Sequence, residues 1–315
     1  SGAGEGDKCV SVLDAFQERA AKDGFKLMHA KGCAIEGTDT SGFAEAVRIG
    51  SEADIIIAVI GESKDMSGEA SSRAHITIPG VQEQFIKALV ATGKPVVVVL
   101  MNGRPLTFPW IAEHASAIVE AWWLGSRGGP AIGDVLYGDY NPSGKLTMTF
   151  PRDIGQVPIY YNLKNTGRPY DPNTKWNSRY QDIVNSPQYP FGYGLSYTTF
   201  TYDSMMVTRK DYTFSDTIIA TVNVKNTGSV AGEEIVQFYV RDLVGSVTRP
   251  LKELKRFEKI KLAPGESKKV TFKLTSKDLA FYTADMTFKA EPGAFWVMVG
   301  PDSERLQKKE IRLVQ

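Results

Sequence analysis

The feature that most limits what this chain can fold into is a change of hydrophobic period near its middle. In the first half, short runs such as "DIIIAVI", "PVVVVLMNG" and "SAIVEAWW" carry apolar residues at successive positions, on both faces. Strands that read this way are covered on both faces, as in parallel sheets flanked by helices. Between them lie segments of helical spacing. "VSVLDAFQERAAKDG" sets Val10, Leu13, Phe16 and Ala20 on one side and stops at Gly24; "FAEAVRIGSEA", "PGVQEQFIKALVATGK" with Pro79 near its start, and "GPAIGDVLYG" repeat the pattern. "FKLMHAKGC" reads as a further short strand. Alternation of this kind implies βαβ units and a doubly wound sheet, whose ligands gather at the carboxyl ends of the strands.

Beyond Tyr189 the period becomes two. "TIIATVNVKNTGSVAGEEIVQFYVRD", "LKRFEKIKLAPGESKKVTFKL" and "FKAEPGAFWVMVGPDS" are strands punctuated by Asn-Thr-Gly and Pro-Gly turns, the texture of an antiparallel β-sandwich of immunoglobulin-like size. From Pro151 to Tyr189 neither period holds, and Pro, Asn, Tyr and Gly dominate. A connection this long without regular structure is often a functional loop or an interdomain strap. The expected organisation is therefore an α/β sandwich domain over 1–150, an irregular strap over 151–198 and a β-sandwich domain over 199–315. At 315 residues the chain is long enough for two cores.

Composition narrows the partners. The net charge is +1 from 37 basic and 36 acidic residues, with no basic stripe or acidic tail, which argues against nucleic acid or a membrane surface. Cys9 and Cys33 are too few for a disulfide framework and lack zinc spacing, so a single bridge between them is left open. His29, His75 and His114 share no ligand spacing. No apolar run reaches the length of a membrane span, and the start, "SGAGEGDKC", suggests a fragment or a processed product.

The stretch "GESKDMSGEASSRAH", Gly61 to His75, follows the apolar run "ADIIIAVI" and so lies at a strand's carboxyl end. It carries Glu62 and Glu69. Glycosidic bond cleavage needs a carboxyl that donates a proton to the leaving oxygen and, in retaining enzymes, a second carboxylate about 5 to 5.5 Å away. Glu62, directly after the strand, has the position of a tether that accepts backbone or Arg hydrogen bonds. The residues alone leave Glu69 open between a proton donor and a solvated carboxylate paired with Lys64 or Arg73. In "WNSRYQD", Trp176 to Asp182, the aromatic faces could stack on sugar rings and Arg179 and Tyr180 could meet hydroxyls; packing of a strap is the competing reading. "GSRGGPAIG" lacks the lysine of a phosphate loop and reads as close packing at a helix start, and "NPSGKL" reads as a turn.

The blocks "GESKDMSGEASSRAHITIPGVQEQFIKALVATGKPVVVVLMNGRPL", "EAWWLGSRGGPAIGDVLYGDYNPSGKLTMTFPRDIGQVPIYY" and "YPFGYGLSYTTF" resemble the C-terminal half of a glycoside hydrolase family 3 β-glucosidase of the bacterial periplasmic type. The resemblance implies an α/β sandwich domain followed by a fibronectin type III-like domain, preceded in the family by a barrel. It implies that Glu69, in "SGEASSR", is the general acid/base, that Arg73 anchors its loop on a carboxylate, and that the nucleophilic Asp lies on the barrel, absent from this chain. The partners implied are a β-glucoside or β-gluco-oligosaccharide and the barrel in the same or another chain, with a homodimer left open. No cofactor or metal is implied, and the compartment implied is the periplasm or the exterior. A noncatalytic carbohydrate-binding or scaffolding module, with Trp296 as a candidate platform, is the alternative. A dinucleotide binder is disfavoured, since no GxGxxG follows the first strand.

Overall fold

The computed structural model describes residues 9–171 and 173–315, so most of the opening stretch "SGAGEGDKC" lies outside the described residues. Two compact units emerge, one comprising the chain up to Tyr140 with Pro151–Val157, the other Asn141–Phe150 with Pro158–Gln315.

In the first unit, α1 (Val12–Asp23) begins at Ser11, whose Oγ accepts the Asp14 N–H at 3.1 Å while the Asp14 carboxylate accepts the Ser11 N–H at 3.0 Å. That reciprocal box satisfies two orphan donors, and Gly24 closes the helix in the left-handed region. There follow α2 (Phe43–Glu52), β1 (Ile56–Gly61), α3 (Gln82–Val90), β2 (Val96–Met101), α4 (Pro109–His114), β3 (Ala117–Glu120) and α5 (Gly128–Tyr137). The strands form a parallel sheet in the order β1-β2-β3. Val99, Ile57 and Met101 face Val12 of α1 and Ile132 and Leu136 of α5. The neighbouring residue Ile56 points the other way, toward Gly50 of α2 and Leu89 of α3. Helices thus cover both faces, as the uniformly apolar strands require. At the start of α5 a side chain on Gly129 would strike the backbone of Val10 and Ser11, so the "GSRGG" turn is a packing device.

Two expectations need correction. "FKLMHAKGC" is no strand: residues 24–34 carry neither helix nor ladder, and His29 is exposed there. Its apolar residues meet the strand pattern, yet a strand exists only where a neighbour accepts its hydrogen bonds. Nor is "DIIIAVI" buried on both faces throughout. Among the described residues β1 pairs with β2 alone, and this edge place leaves Val59 45% exposed. The helix α4, begun by Pro109 at its first turn, had no sequence signal long enough to show a period.

The second unit is a β-sandwich. One sheet runs β10 (Ser267–Leu274), β7 (Ile218–Asn226), β4 (Phe200–Tyr202), with β5 (Met206–Val207) also on β7. The other runs β6 (Asp211–Tyr212), β14 (Gln307–Leu313), β13 (Gly293–Gly300), β8 (Gly232–Asp242), β9 (Glu253–Leu262), while β11 (Phe281–Tyr282) and β12 (Phe288–Lys289) pair as a separate hairpin. Alternate residues build one core: Ile218, Ala220, Val222 and Val224 from β7 meet Val236, Phe238 and Val240 from β8 and Phe295, Val297 and Val299 from β13. The period of two seen in the sequence is this inward alternation. Trp296 points to the opposite face, where the Arg241 guanidinium lies 5.0 Å and the Lys308 ammonium 3.9 Å from its ring centre. Such cation contacts occupy a surface that a sugar would need.

The irregular strap is joined by isolated bridges, Tyr189 to Phe150 and Lys164 to Pro250, and otherwise by side-chain contacts. Asp171 accepts the Asn173 N–H at 2.9 Å and the Thr174 hydroxyl at 3.1 Å, and the Asn185 amide donates to Ser178 O at 2.9 Å. Among the described residues no helix is long and apolar enough to cross a membrane, and no disulfide joins Cys9 and Cys33.

Candidate functional site

At the carboxyl end of the parallel sheet each strand is followed or finished by a polar side chain: Glu62 after β1, Asn102 after β2, Glu120 at the end of β3. Glu62 is the best satisfied. Its side chain is fully buried, and Oε1 meets Arg73 Nη1 at 2.7 Å and Arg104 Nε at 2.9 Å. Oε2 accepts the Gly103 N–H at 3.1 Å. A carboxylate held by two guanidinium groups and a backbone donor recovers in the interior what it loses by leaving water.

The same arginines bind the loop that follows. Arg104 Nη2 donates to Ser71 O at 2.9 Å and also to Met66 O, and Arg73 Nη2 donates to Thr77 O at 3.3 Å. Thr107 N–H meets Ile76 O at 2.7 Å, tying the loop's far end to the chain beyond β2. At the loop's start, the buried Gln82 side chain accepts the Gly61 N–H at 2.8 Å, and the two hydrogens of its amide nitrogen are shared among Gly61 O at 2.8 Å, Ile35 O at 3.0 Å and Pro79 O at 3.1 Å. Gly61 itself is obligatory: its φ is 144°, and a Cβ there would overlap Met101 O.

Between these staples stands Glu69. It is exposed, and it is flanked by Gly68 at φ 145° and Ala70 at φ 60°. These two departures from ordinary backbone on either side, the second costing Ala70 about 1 kcal/mol or more, make residue 69 the tip of a tight reversal. Its carbonyl accepts the Ser71 hydroxyl at 3.4 Å. Arg73 is committed to Glu62, so it is not the partner of Glu69. Alongside lies an open cleft lined by Glu36, Asp65, Ser71, Ser72, Arg73 and Gly80, among others.

Glu120 differs from its neighbours. Burial first, and the negative charge of Glu62 in addition, push its carboxyl up to about 8, against the pull of the Trp122 N–H and the Asn102 side chain. Trp122 N–H reaches Glu120 Oε1 at 3.1 Å while Trp122 itself sits at φ 52°. No metal centre is built here or elsewhere among the described residues: no three His, Cys, Asp or Glu side chains gather.

The other expected contacts, Arg179 and Tyr180, belong to the second unit. There they line a cleft with Tyr170, Lys175, Ile183 and Asn185, and Tyr180 N–H donates to Asn185 Oδ1 at 3.2 Å. Trp176 is 77% exposed beside Lys175. Sequence reasoning saw Glu62, Glu69 and Arg73 but missed Arg104, Gln82 and Glu120. Arg104 could have been found, because an arginine just after a strand-end turn points at the same rim as Glu62. Gln82 and Glu120 look like solvent-facing residues in the sequence.

Comparison with known proteins follows the same outline. The glycosyl hydrolase family 3 C-terminal domain matches residues 1–197, and a fibronectin type III-like domain matches 234–303. The chain is 45% identical to a periplasmic beta-glucosidase of Salmonella typhimurium, covering 100% of this chain and 44% of that protein. It is 43% identical to a beta-xylosidase of Formosa agariphila, covering 96% of this chain and 41% of the relative. Among solved structures, beta-glucosidase from Listeria innocua in complex with glucose superposes with a TM-score of 0.93 at 37% identity, over 99% of this chain and 43% of that one. The chain thus spans less than half the length of these relatives.

Proposed function

From the premise that this chain belongs to glycosyl hydrolase family 3, we propose that it is the C-terminal two-domain portion of a retaining exo-β-glucosidase, with Glu69 as the general acid/base. The domain organisation proposed with it is an α/β domain over 1–150, a strap over 151–198 and a fibronectin type III-like domain over 199–315. The observation that carries the assignment is the division of labour between two carboxylates of one loop. Glu62 is buried and consumed by Arg73, Arg104 and Gly103 N–H, whereas Glu69 is exposed at the tip that those contacts hold.

In the first step the nucleophilic carboxylate, an Asp on the barrel domain by family resemblance, attacks the anomeric carbon. The bond from that carbon to the leaving oxygen breaks, and the Glu69 proton passes to the oxygen. In the second step water attacks the glycosyl ester, Glu69 takes the water's proton, and the sugar leaves with its configuration retained. A tip stapled from below satisfies the positional demand: a proton donor must lie within hydrogen-bond reach of the leaving oxygen when the cleft closes over the sugar. Arg73 supports the loop, and Arg179 and Tyr180 are assigned to an outer sugar subsite on the strength of their exposed cleft in the strap. The favoured substrates are β-D-glucosides or short β-gluco-oligosaccharides, in a periplasmic or secreted setting like that of the Salmonella relative; a homodimer is compatible with this reading.

The test is Glu69→Ala in the chain joined to its barrel domain, assayed on aryl glucosides. Turnover should fall severely for poor leaving groups and little for dinitrophenolate, which needs no proton. Equal losses across leaving groups reject the assignment.

A further inference from the structure

Two polar atoms at the rim of the sheet lack a donor. Asn102 is wholly buried, and its amide nitrogen is directed at Arg104 O, 2.6 Å away, which fixes its Oδ1 as an acceptor; that Oδ1 has no hydrogen-bond partner. Glu120 Oε2 is likewise buried and without a partner, although Oε1 holds the Trp122 N–H. The two residues end neighbouring strands, with Glu120 in register with Leu100, and the Asn102 side chain bears on the Glu120 carboxyl. Two buried acceptors at the ends of neighbouring strands each forfeit a hydrogen bond in a dry site. A single proton on Oε2 removes both deficits.

The consequence reaches the loop. Trp122 is in the left-handed region, which a bulky residue adopts only when its surroundings impose it, and the contact that Glu120 makes with its N–H is such an imposition. The next residue, Trp123, brings its indole nitrogen against Gly103, where a side chain on that glycine would strike both the indole and Ser67 Oγ. Ser67 lies two positions before Glu69. We propose that Glu120 is a positioning residue for the Glu69 loop: its protonated carboxyl donates from Oε2 to Asn102 Oδ1 and accepts the Trp122 N–H on Oε1, fixing the Trp122–Trp123 turn against Gly103 and Ser67.

This rests on the reading of Glu69 for its catalytic meaning but not for its chemistry. The groups bearing on Glu120 are Asn102 just after β2, the Trp122 backbone on its own strand's continuation, and Glu62 after β1, whose charge is held by Arg73 and Arg104. The loss of water first, and the repulsion from Glu62 in addition, favour the protonated form.

The experiment uses Glu120→Gln, whose amide can make both hydrogen bonds without a proton to lose, and Glu120→Leu, which can make neither. On this chain, infrared difference spectra of the parent minus Glu120→Gln should show the carbonyl band of a buried carboxylic acid at neutral pH. That band should vanish with a midpoint near 8, where burial places this carboxyl, together with a change in the near-ultraviolet circular dichroism of the tryptophans that Glu120→Gln lacks. In the chain joined to its barrel, Glu120→Leu should lose about tenfold or more in kcat on poor leaving groups, less on dinitrophenyl glucoside, and Glu120→Gln should recover most of that loss and hold it to higher pH. An ionised Glu120 at neutral pH, or a Glu120→Leu enzyme as active as the parent on poor leaving groups, overturns the proposal. If Glu69→Ala shows no leaving-group discrimination while the carboxylic acid band is present, it is the assignment of Glu69 that fails, and the protonated clamp stands.

Discussion

A buried carboxylate in each unit fastens irregular chain to a sheet, and the two, Glu62 and Glu234, do so differently. In the α/β unit, Glu62 is clasped by two arginines and a backbone N–H, and both arginines go on to bind carbonyls of the loop. In the sandwich unit, Glu234 of β8 receives Lys145 Nζ at 3.2 and 3.3 Å and the Tyr202 hydroxyl at 2.8 Å. Lys145 belongs to the "NPSGKL" turn, and its other contact is Gly194 O at 3.4 Å. Guanidinium groups are planar forks that serve several acceptors at once, while an ammonium is a point charge on a flexible stem. The fork suits a loop whose tip must be held at a set place. The point charge suffices to dock a turn that bears no exposed carboxylate of its own.

The comparison breaks most visibly at Glu62. Glu62→Ala leaves Arg73 and Arg104 buried without a counter-charge, and the expected cost in a denaturant melt is about 3 kcal/mol, the low end for a broken buried pair because both arginines keep some solvent contact. Turnover should fall about a hundredfold with it, since the Glu69 tip loses its staples. Next comes Glu234→Ala. The stability loss should be about 2 kcal/mol from the stranded Lys145 and Tyr202, with turnover per folded molecule unchanged. A Glu234 variant that impairs leaving-group chemistry as Glu62→Ala does would erase the distinction.

The pH dependence of stability sharpens the same contrast. Glu120 has its folded value raised to about 8 from an ordinary 4.5. Between these two values the folded chain retains a proton that the unfolded chain has released, so stability falls as pH rises through this window, with a slope approaching about 1.4 kcal/mol per pH unit for one group. Glu120→Gln should flatten that slope, as read from urea melts at a series of pH values; an unaltered slope would place the carboxyl in its ionised form. The smallest effect is expected at Trp296. Its truncation to Ala on the outer face should cost about 1 kcal/mol through lost contact with Arg241 and Lys308. Calorimetry with cello-oligosaccharides should show no change, whereas lost sugar binding would favour a carbohydrate-binding module.

What could be read in advance follows physical range. Local rules were legible: Gly24 at the end of α1, doubly apolar strands in a parallel sheet, and period two in the sandwich. So was the tethering place of Glu62, because position directly after a strand constrains it, and the anchoring of Arg73 was implied by resemblance. Illegible were features that depend on a neighbour distant in sequence. "FKLMHAKGC" has strand composition but no ladder partner, and Gln82 is buried only because Ile35, Gly61 and Pro79 converge on it. The Glu120 carboxyl is pushed up by burial that only the assembled sheet creates. Residues 62 to 77 showed their chemistry in composition, but which of the two glutamates is free depends on where Arg104 arrives from, more than thirty residues downstream.

The most direct measurement compares azide rescue of Glu69→Ala and Glu62→Ala in the chain joined to its barrel, using an activated aryl glucoside. Removing a general acid/base opens space at the anomeric carbon for a small anion, so Glu69→Ala should regain turnover and form a β-glycosyl azide, while Glu62→Ala should not respond. A β-glycosyl azide from Glu62→Ala and none from Glu69→Ala would show that the buried carboxylate, and not the exposed one, is the proton donor.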